Sequence, residues 1–277
     1  SAVGLGNIWR FPYLAAKYGG GIFLLTYFIL AVTFGFALLI SETALGRKTK
    51  KSPIAAYKKL GAKKLQIGGW LNAIVPMLIV PYYCVVGGWV CKYLFEYIKN
   101  NSTNLVSNNY FSNFSSSSIQ PVFWLIVFAI LVFVVVLLGV EKGVEKCSKI
   151  LMPALIIMAI FIAGYTLFTP GAIEGAKYYL IPDFSRFSIM TVVAAMGQMF
   201  YSLSIGMGIL FTYGSYMKKE IDMERSITQV EIMDTVVAFL AGLMIVPAVF
   251  AFSNGDPNTL NAGPSLMFIT LPNVFNS

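Results

Sequence analysis

Long apolar runs separated by short polar segments make up most of the 277-residue chain. Runs of about 20 apolar residues match a hydrocarbon core ~30 Å thick, whereas the strands of a membrane barrel would be short and alternating. The pattern therefore predicts an all-α membrane protein in which residues 1–277 form a single transmembrane domain of seven spans. We place these spans at residues 1–17, 22–45, 70–97, 121–140, 150–168, 188–216 and 227–252.

Two of the predicted spans are interrupted by small residues. The first reads SAVGLGNIWRFP, where Gly4 and Gly6 favour unwinding because glycine loses the most backbone freedom in a helix. The sixth contains QMFYSLSIGMG at residues 198–208. Such small residues also form close-packing surfaces between membrane helices, and this alternative stays open. Spans one and six have opposite orientations, as in inverted repeats whose broken helices meet at a binding site near the membrane midplane.

Composition agrees with a membrane protein and excludes several functions. The chain is 57% hydrophobic and 12% charged, and its mean hydropathy is +0.75. It contains no histidine, which excludes histidine-based metal sites and catalytic triads. Cys84, Cys91 and Cys147 lie in or beside apolar segments, and we expect neither a disulfide nor a metal cluster. Because no pair of nucleophile and base is visible, we expect no enzyme and no organic cofactor.

Basic residues indicate the orientation in the membrane. Of the 20 lysines and arginines, 14 fall in the three loops 47–64, 141–149 and 218–225. By the positive-inside bias these loops are cytoplasmic, which also places the N-terminus in the cytoplasm. A patch that binds anionic lipid or nucleic acid is the alternative for such a basic run. A seven-helix receptor would have its N-terminus outside, so the charge pattern disfavours that class.

A carboxylate in the seventh predicted span indicates a buried site. Asp234 lies next to Met233 in an apolar run, and a charge at that depth is costly unless it faces a partner inside the bundle. The alternative is that Asp234 belongs to the frayed cytoplasmic start of the helix. Together with the amide of Asn7, the hydroxyl of Ser202 and loosened backbone carbonyls, Asp234 offers hard oxygen ligands that suit a small hard cation.

Five motifs are spread over most of the chain: GLGNIWRFPYLAAKYGGG (4–21), ETALGR (42–47), GVEKGVEKCSK (139–149), QMFYSLSIGMG (198–208) and TYGSY (212–216). In these motifs the sequence resembles the neurotransmitter:sodium symporter family, particularly its bacterial amino-acid members. The resemblance implies a leucine-transporter-type inverted-repeat helical bundle, truncated to spans 1 to 7, with helices 1 and 6 broken. It also implies sodium-coupled import of an amino acid across the plasma (inner) membrane of a bacterium by alternating access.

The ends of the chain leave a second possibility. The chain begins inside a predicted helix and ends without a closing span, which suggests a fragment. A transport-inactive truncated remnant, or a regulatory or interaction protein of the same family, is therefore the alternative function.

The resemblance further implies roles for individual residues, position by position. The sodium ion next to the substrate would bind Ala2, Asn7, Ser202 and Asp234, and a second sodium ion would bind Val3 and ligands outside this chain. The amides of Leu5 and Gly6 and the hydroxyl of Tyr83 would hold the substrate carboxylate. Its amino group would bind the carbonyls of Ala2, Tyr201 and Ser202, together with Ser204. The substrate side chain would lie among Ile79, Tyr83, Tyr201 and Met207, and the gate would comprise Arg10, Tyr83 and Tyr201.

Departures from the family pattern narrow the expected substrate and ions. Monoamine members carry aspartate at the position of Gly4, whereas glycine leaves room for the carboxylate of an amino acid. Chloride-dependent members have serine where this chain has Ala238, and Asp234 would supply the negative charge instead, so we expect chloride not to be required. The expected partners are an amino acid, sodium and membrane lipid, without nucleic acid.

Gly143 and Pro153 have the spacing at which the fifth span of some bacterial members unwinds to admit water towards sodium. The proline removes a backbone donor and disfavours helix before it, so local loosening is expected. A plain helix kink explains the same two residues equally well.

Overall fold

The computed structural model describes residues 3–61, 63–107, 109–252, 268, 269 and 272. These residues form helices and no strand. The α-helices are α1 (Phe11–Lys17), α2 (Gly21–Leu30), α3 (Phe36–Thr49), α4 (Pro53–Lys59), α5 (Gln66–Ile98), α6 (Ser102–Leu105), α7 (Tyr110–Ser116), α8 (Gln120–Leu137), α9 (Lys146–Leu167), α10 (Ala172–Leu180), α11 (Ile189–Ser202), α12 (Ile209–Tyr216) and α13 (Met223–Phe252). π-Helical turns precede α1, join α2 to α3 and precede α9, at Gly6–Arg10, Ala31–Gly35 and Val140–Glu145.

Within the described residues, five helices are long and apolar enough to cross a membrane: Gly21–Thr49, Gln66–Ile98, Gln120–Leu137, Lys142–Leu167 and Met223–Ala251. They correspond to the second, third, fourth, fifth and seventh predicted spans, and the other two predicted spans are the interrupted ones. The bounds differ most at the basic loop before the fifth span, where the helix begins at Lys142 instead of residue 150. The helices on either side of the loop 47–64 also extend beyond their apolar runs, by four residues each. Lysine and arginine permit this extension because long apolar stems carry their charges away from the helix.

The first interrupted span ends in a glycine turn. Gly19 (φ 96°) and Gly20 (φ 61°) adopt conformations with positive φ that end α1 and reverse the chain into α2. A Cβ on Gly20 would lie 2.1 Å from the carbonyl oxygen of Tyr178 in α10, so only glycine allows this close approach.

The segments 99–120 and 169–187, which join predicted spans on the side opposite the basic loops, contain helices that the hydrophobic pattern did not predict. α6 and α7 lie in segment 99–120, and α10 lies in segment 169–187. α10 packs on α13, where the Tyr179 hydroxyl donates to the carbonyl of Phe239 (3.1 Å). A Cβ on Gly242 would lie 2.2 Å from the same hydroxyl. These short helices are specified by packing on the bundle, which a local hydropathy pattern does not record.

Reciprocal glycine contacts join α3 and α12. A Cβ on Gly46 would lie 2.2 Å from the carbonyl oxygen of Phe211, and a Cβ on Gly214 would lie 2.3 Å from the carbonyl oxygen of Thr43. A larger side chain at either position would have to displace a backbone. The two helices therefore pack backbone to backbone, as small residues permit in membrane helices.

α13 lies in the interior of the described bundle, whereas α8 lies at its surface. Ile245 and Val246 of α13 are fully buried, as is Asp234. In contrast, α8 has no buried residue in the part of the chain that the structure describes. Its exposed side chains are mainly valine, leucine, isoleucine and phenylalanine, which suits a surface that faces lipid.

Candidate functional site

The sixth predicted span is interrupted, as the sequence predicts. α11 ends at Ser202 and α12 begins at Ile209. Between them, Ser204 (φ 57°), Gly206 (φ 75°) and Gly208 (φ 68°) adopt left-handed conformations that are incompatible with a continuous right-handed α-helix. The chain therefore leaves the helix in the interior of the bundle and resumes it six residues later.

The first interruption differs in detail from the prediction. Val3 and Gly4 are non-helical, but Gly6–Arg10 forms a π-helical turn instead of an open stretch. The N–H of Asn7 donates to the carbonyl of Gly4 (3.1 Å). A π-helical turn inside an α-helix is frequent at functional sites. Ala2, which the resemblance assigns to both the ion and the substrate, lies outside the described residues.

The side chains of Asn7, Ser202 and Asp234 meet where the two interruptions adjoin α13. Asn7 Nδ2 donates to Asp234 Oδ1 (2.7 Å), to the Asp234 carbonyl (3.2 Å) and to Ser202 Oγ (3.0 Å). The Ser202 hydroxyl lies 3.0 and 2.8 Å from the two carboxylate oxygens of Asp234. The Tyr27 hydroxyl of α2 donates to Asp234 Oδ2 (3.3 Å). We call Asn7, Ser202 and Asp234 the oxygen cluster.

The burial of Asp234 decides between the two interpretations of this residue. Asp234 is fully buried and lies well inside α13, which begins at Met223. A frayed helix start would be exposed, so that alternative is wrong. Hydrogen bonds from Asn7, Ser202 and Tyr27 satisfy the carboxylate in a region from which water is excluded. Such a carboxylate is a strong candidate to bind a cation.

Gln198 connects the two interruptions beside the oxygen cluster. Its Nε2 donates to the carbonyl of Gly6 (2.9 Å), and its Oε1 accepts a hydrogen bond from Arg10 Nη1 (2.9 Å). The Arg10 guanidinium lies 5.1 Å from the centroid of the Tyr201 ring. The Tyr201 hydroxyl donates to the hydroxyl of Tyr83 (3.0 Å). The structure thus brings the three predicted gate residues next to one another.

A cavity of about 370 Å³ adjoins the oxygen cluster. We call it the inner cavity. Most of the predicted site residues line it: Val3, Gly6, Asn7, Ile79, Tyr83, Tyr201, Ser202, Ser204 and Met207. Leu5 packs against the hydrophobic core instead, although the role predicted for it belongs to its backbone amide. A Cβ on Gly6 would lie 2.8 Å from the Tyr201 ring, so glycine is required where the two interruptions touch.

Two polar residues that the hydrophobic pattern did not predict hold the sixth-span interruption. Glu42 Oε1 accepts a hydrogen bond from the N–H of Gly206 (2.8 Å), and Asn72 Oδ1 accepts one from the N–H of Gly208 (2.9 Å). Glu42 could have been identified from the sequence, because an ionisable residue in an apolar span indicates a functional site. Asn72 could not have been identified in this way, since a neutral amide near a helix end is common.

The segment around Gly143 and Pro153 is only partly loosened. Gly143 lies in the π-helical turn Val140–Glu145, whereas Pro153 lies inside α9. Of the second predicted sodium site, Val3 is the ligand within the described residues, and it lines the inner cavity.

Comparison with known proteins shows the same fold. The crystal structure of MhsT in complex with L-phenylalanine is similar to this chain at a TM-score of 0.90 and 37% sequence identity, and the match covers 100% of this chain and 63% of that one. This likeness confirms the predicted fold class, a leucine-transporter-type helical bundle of which the chain matches a part.

Relatives and a family model agree with the structural match. The sodium-dependent transporter YhdH of Bacillus subtilis is 36% identical over 279 residues, which are 99% of this chain and 61% of that protein. The sodium- and chloride-dependent GABA transporter 2 of Rattus norvegicus is 31% identical over 317 residues, with 98% of this chain and 52% of that protein covered. The chain thus spans less than two thirds of the length of these relatives.

A family model described as the sodium:neurotransmitter symporter family matches residues 1–120 and 115–277. Its members are transporters and not enzymes, in agreement with the sequence prediction. Since the two matched ranges together cover the whole sequence, the chain belongs to the sodium:neurotransmitter symporter family.

Proposed function

We propose that the protein is a sodium-coupled symporter that imports an amino acid by alternating access. The observation that carries the proposal is the buried oxygen cluster at the edge of the inner cavity. Carboxylate, amide and hydroxyl oxygens are hard ligands of the kind that sodium prefers. The names of the family and of the relatives support sodium as the coupled ion.

Sodium would bind within the oxygen cluster, with the carbonyl of Ala2 as a further ligand. In the structure, Asn7 Nδ2 donates to Ser202 and Asp234, Asn7 Oδ1 accepts a hydrogen bond from the N–H of Gly4 (3.0 Å), and the Ser202 hydroxyl donates to Asp234. On binding, Asn7 would turn its amide oxygen towards the ion and Ser202 its lone pairs. The negative charge of Asp234 offsets the cost of removing sodium from water. The second ion would bind at Val3.

The substrate would occupy the inner cavity next to the ion. A Cβ on Gly4 would lie no closer than 4.0 Å to the Tyr83 hydroxyl, so this corner has room for the carboxylate of an amino acid. The amides of Leu5 and Gly6 and the Tyr83 hydroxyl would hold that carboxylate. Carboxylate and sodium attract each other more strongly here than in water, so each raises the affinity for the other.

The rest of the amino acid would follow the predicted assignments. Its amino group would bind the carbonyls of Ala2, Tyr201 and Ser202, together with Ser204. Its side chain would lie among Ile79, Tyr83, Tyr201 and Met207. Since the solved relative MhsT was crystallised with L-phenylalanine, a large apolar amino acid is the first candidate substrate.

Chloride would not be required. The resemblance matches Tyr27, Gln198 and Ser202 to chloride ligands of other family members. Tyr27 and Ser202 both donate hydrogen bonds to the carboxylate of Asp234. The site therefore already holds a fixed negative charge where those members would bind an anion.

Transport would require the site to open to each side of the membrane in turn. We propose that the bundle lies in the plasma membrane of a bacterium with the N-terminus in the cytoplasm, an orientation that the basic loops support. The interrupted spans would move with α2, α3 and α13 against a scaffold that includes α5 and α8. Arg10, Tyr83 and Tyr201 would close the outer side.

Uptake of radiolabelled amino acids by cells that express the full-length protein tests the proposal. We expect uptake of at least one amino acid, starting with L-phenylalanine, to depend on sodium and to persist when gluconate replaces chloride. Absence of sodium dependence for every amino acid would refute sodium coupling. Loss of uptake without chloride would refute the role of Asp234 as the substitute for an anion.

A further inference from the structure

Two cavities meet at the sixth-span interruption. The inner cavity and a second cavity of about 280 Å³ share Pro76, Met207 and Ile209 in their walls. The lining of the second cavity continues with Val144 and Tyr213, and it therefore extends towards the basic loop 141–149. Met207 thus lies in the partition between the inner cavity and the second cavity, which faces the end of the bundle that is predicted to be cytoplasmic.

Hydrogen bonds on both sides of Met207 hold this partition. The N–H of Gly206 donates to Glu42 of α3, and the N–H of Gly208 donates to Asn72 of α5. Both glycines have positive φ angles, 75° and 68°. Their N–H groups therefore bond to side chains instead of helix carbonyls, and these bonds fix where the short segment lies.

Asn72 is oriented to receive Gly208. Its Nδ2 donates to the carbonyl of Gly68 (2.9 Å), one turn earlier in α5, so its Oδ1 faces the other way. Pro76, one turn later, has no N–H to donate to the Asn72 carbonyl. A Cβ on Gly208 would lie 3.0 Å from that carbonyl oxygen. The side chain and the backbone of Asn72 therefore both lie against Gly208.

From this arrangement we infer that Asn72 is a positioning residue for substrate selectivity. By holding Gly208 it fixes Met207 as the floor of the inner cavity, and the height of that floor determines how long an amino-acid side chain the site accepts. Asn72 is not among the described residues that line the inner cavity, so it acts through Met207. The inference rests on the proposed function, because it concerns the substrate of the same site.

The test compares Asn72→Ala and Asn72→Leu, which both remove the acceptor, with Asn72→Asp, which keeps an oxygen at the same place. Asn72→Leu also keeps most of the side-chain volume and supplies the measurement if Asn72→Ala does not fold. Leu71→Ala is the control, since Leu71 is the neighbouring residue of α5 and is 56% exposed. Competition of unlabelled L-alanine, L-leucine and L-tryptophan with radiolabelled L-phenylalanine at saturating sodium gives the relative affinities.

For the two variants without the acceptor we expect the ratio of the L-tryptophan to the L-alanine affinity to change by about threefold to tenfold, the effect of one lost hydrogen bond. Leu71→Ala should keep the wild-type ratio. Asn72→Asp keeps an acceptor for Gly208 but loses the donor to Gly68, so it should change the ratio less than Asn72→Ala and Asn72→Leu do. All variants should keep the wild-type sodium dependence. An unchanged ratio, or an equal loss of affinity for every amino acid, would overturn the inference. If the wild-type protein binds no amino acid, the proposed function itself fails.

Discussion

Replacing Asp234 by asparagine removes the charge of the oxygen cluster while keeping the size of the side chain. An ion and a carboxylate ~4 Å apart attract each other by ~4 kcal/mol at an effective dielectric constant of ~20. Sodium must compete with Asn7, Ser202 and Tyr27, which already donate to this carboxylate, and a hydrogen bond to a charged group is worth about 1.5 to 3 kcal/mol. We therefore expect a net loss of about 1 to 3 kcal/mol, or about 5- to 150-fold in sodium affinity.

Binding of radiolabelled L-phenylalanine to the purified full-length protein, titrated with sodium, measures this loss as a rise in the half-saturating sodium concentration. Glu231→Gln is the matched control. It neutralises another carboxyl group of α13 that is 7% exposed and whose Oε1 has no hydrogen-bond partner among the described residues. We expect only a minor change for this control. Equal sodium affinities of Asp234→Asn and the wild type would refute the assignment of the ion to the cluster.

Three further substitutions test distances in the structure. Gly46→Ala places a methyl group 2.2 Å from the Phe211 carbonyl oxygen, so the free energy of unfolding should fall by about 1 to 3 kcal/mol; an unchanged melting temperature would contradict the close contact of α3 and α12. Tyr83→Phe removes the hydroxyl that lies 3.0 Å from that of Tyr201 and should raise the KM for uptake by about 2- to 10-fold; a wild-type KM would contradict its role towards the substrate carboxylate. Gly4→Asp adds a carboxylate to the corner beside Tyr83, where it would repel the carboxylate of an amino acid, so binding of L-phenylalanine should be lost. Retained binding would show that the substrate carboxylate lies elsewhere.

The spans and their interruptions could be predicted because they are local properties of the sequence. A run of apolar residues determines where a helix crosses the membrane, and glycine and serine inside such a run determine where it breaks. Asp234 was recognisable for the same reason, as a charge in an apolar run. Its contact with Asn7, 227 residues earlier, is not local, and it was the resemblance to a family that placed the two residues in one site.

Other features depend on packing that no local pattern records. Gly4 and Gly6 predicted an unwound segment, but Gly6–Arg10 forms a π-helical turn and stays helical. α10 has a fixed place because glycines of the α1–α2 turn and of α13 make room for it. The bond from Gly208 to Asn72 exists because α12 begins against α5, and nothing in the sequence around Asn72 indicates that neighbour.

The reciprocal glycine contacts between α3 and α12 have a mechanical consequence. Where the backbones of α3 and α12 are in direct contact, no layer of side chains lies between the two helices that could be compressed. We therefore expect a tilt of α12 to be accompanied by a tilt of α3. α3 also carries Glu42, whose carboxylate accepts a hydrogen bond from the N–H of Gly206 in the interruption. A movement that begins at Met207 would therefore turn α3 and α12 together. Alanine at Gly46 or Gly214 would loosen this contact and separate motion at the site from motion at the basic end of the bundle.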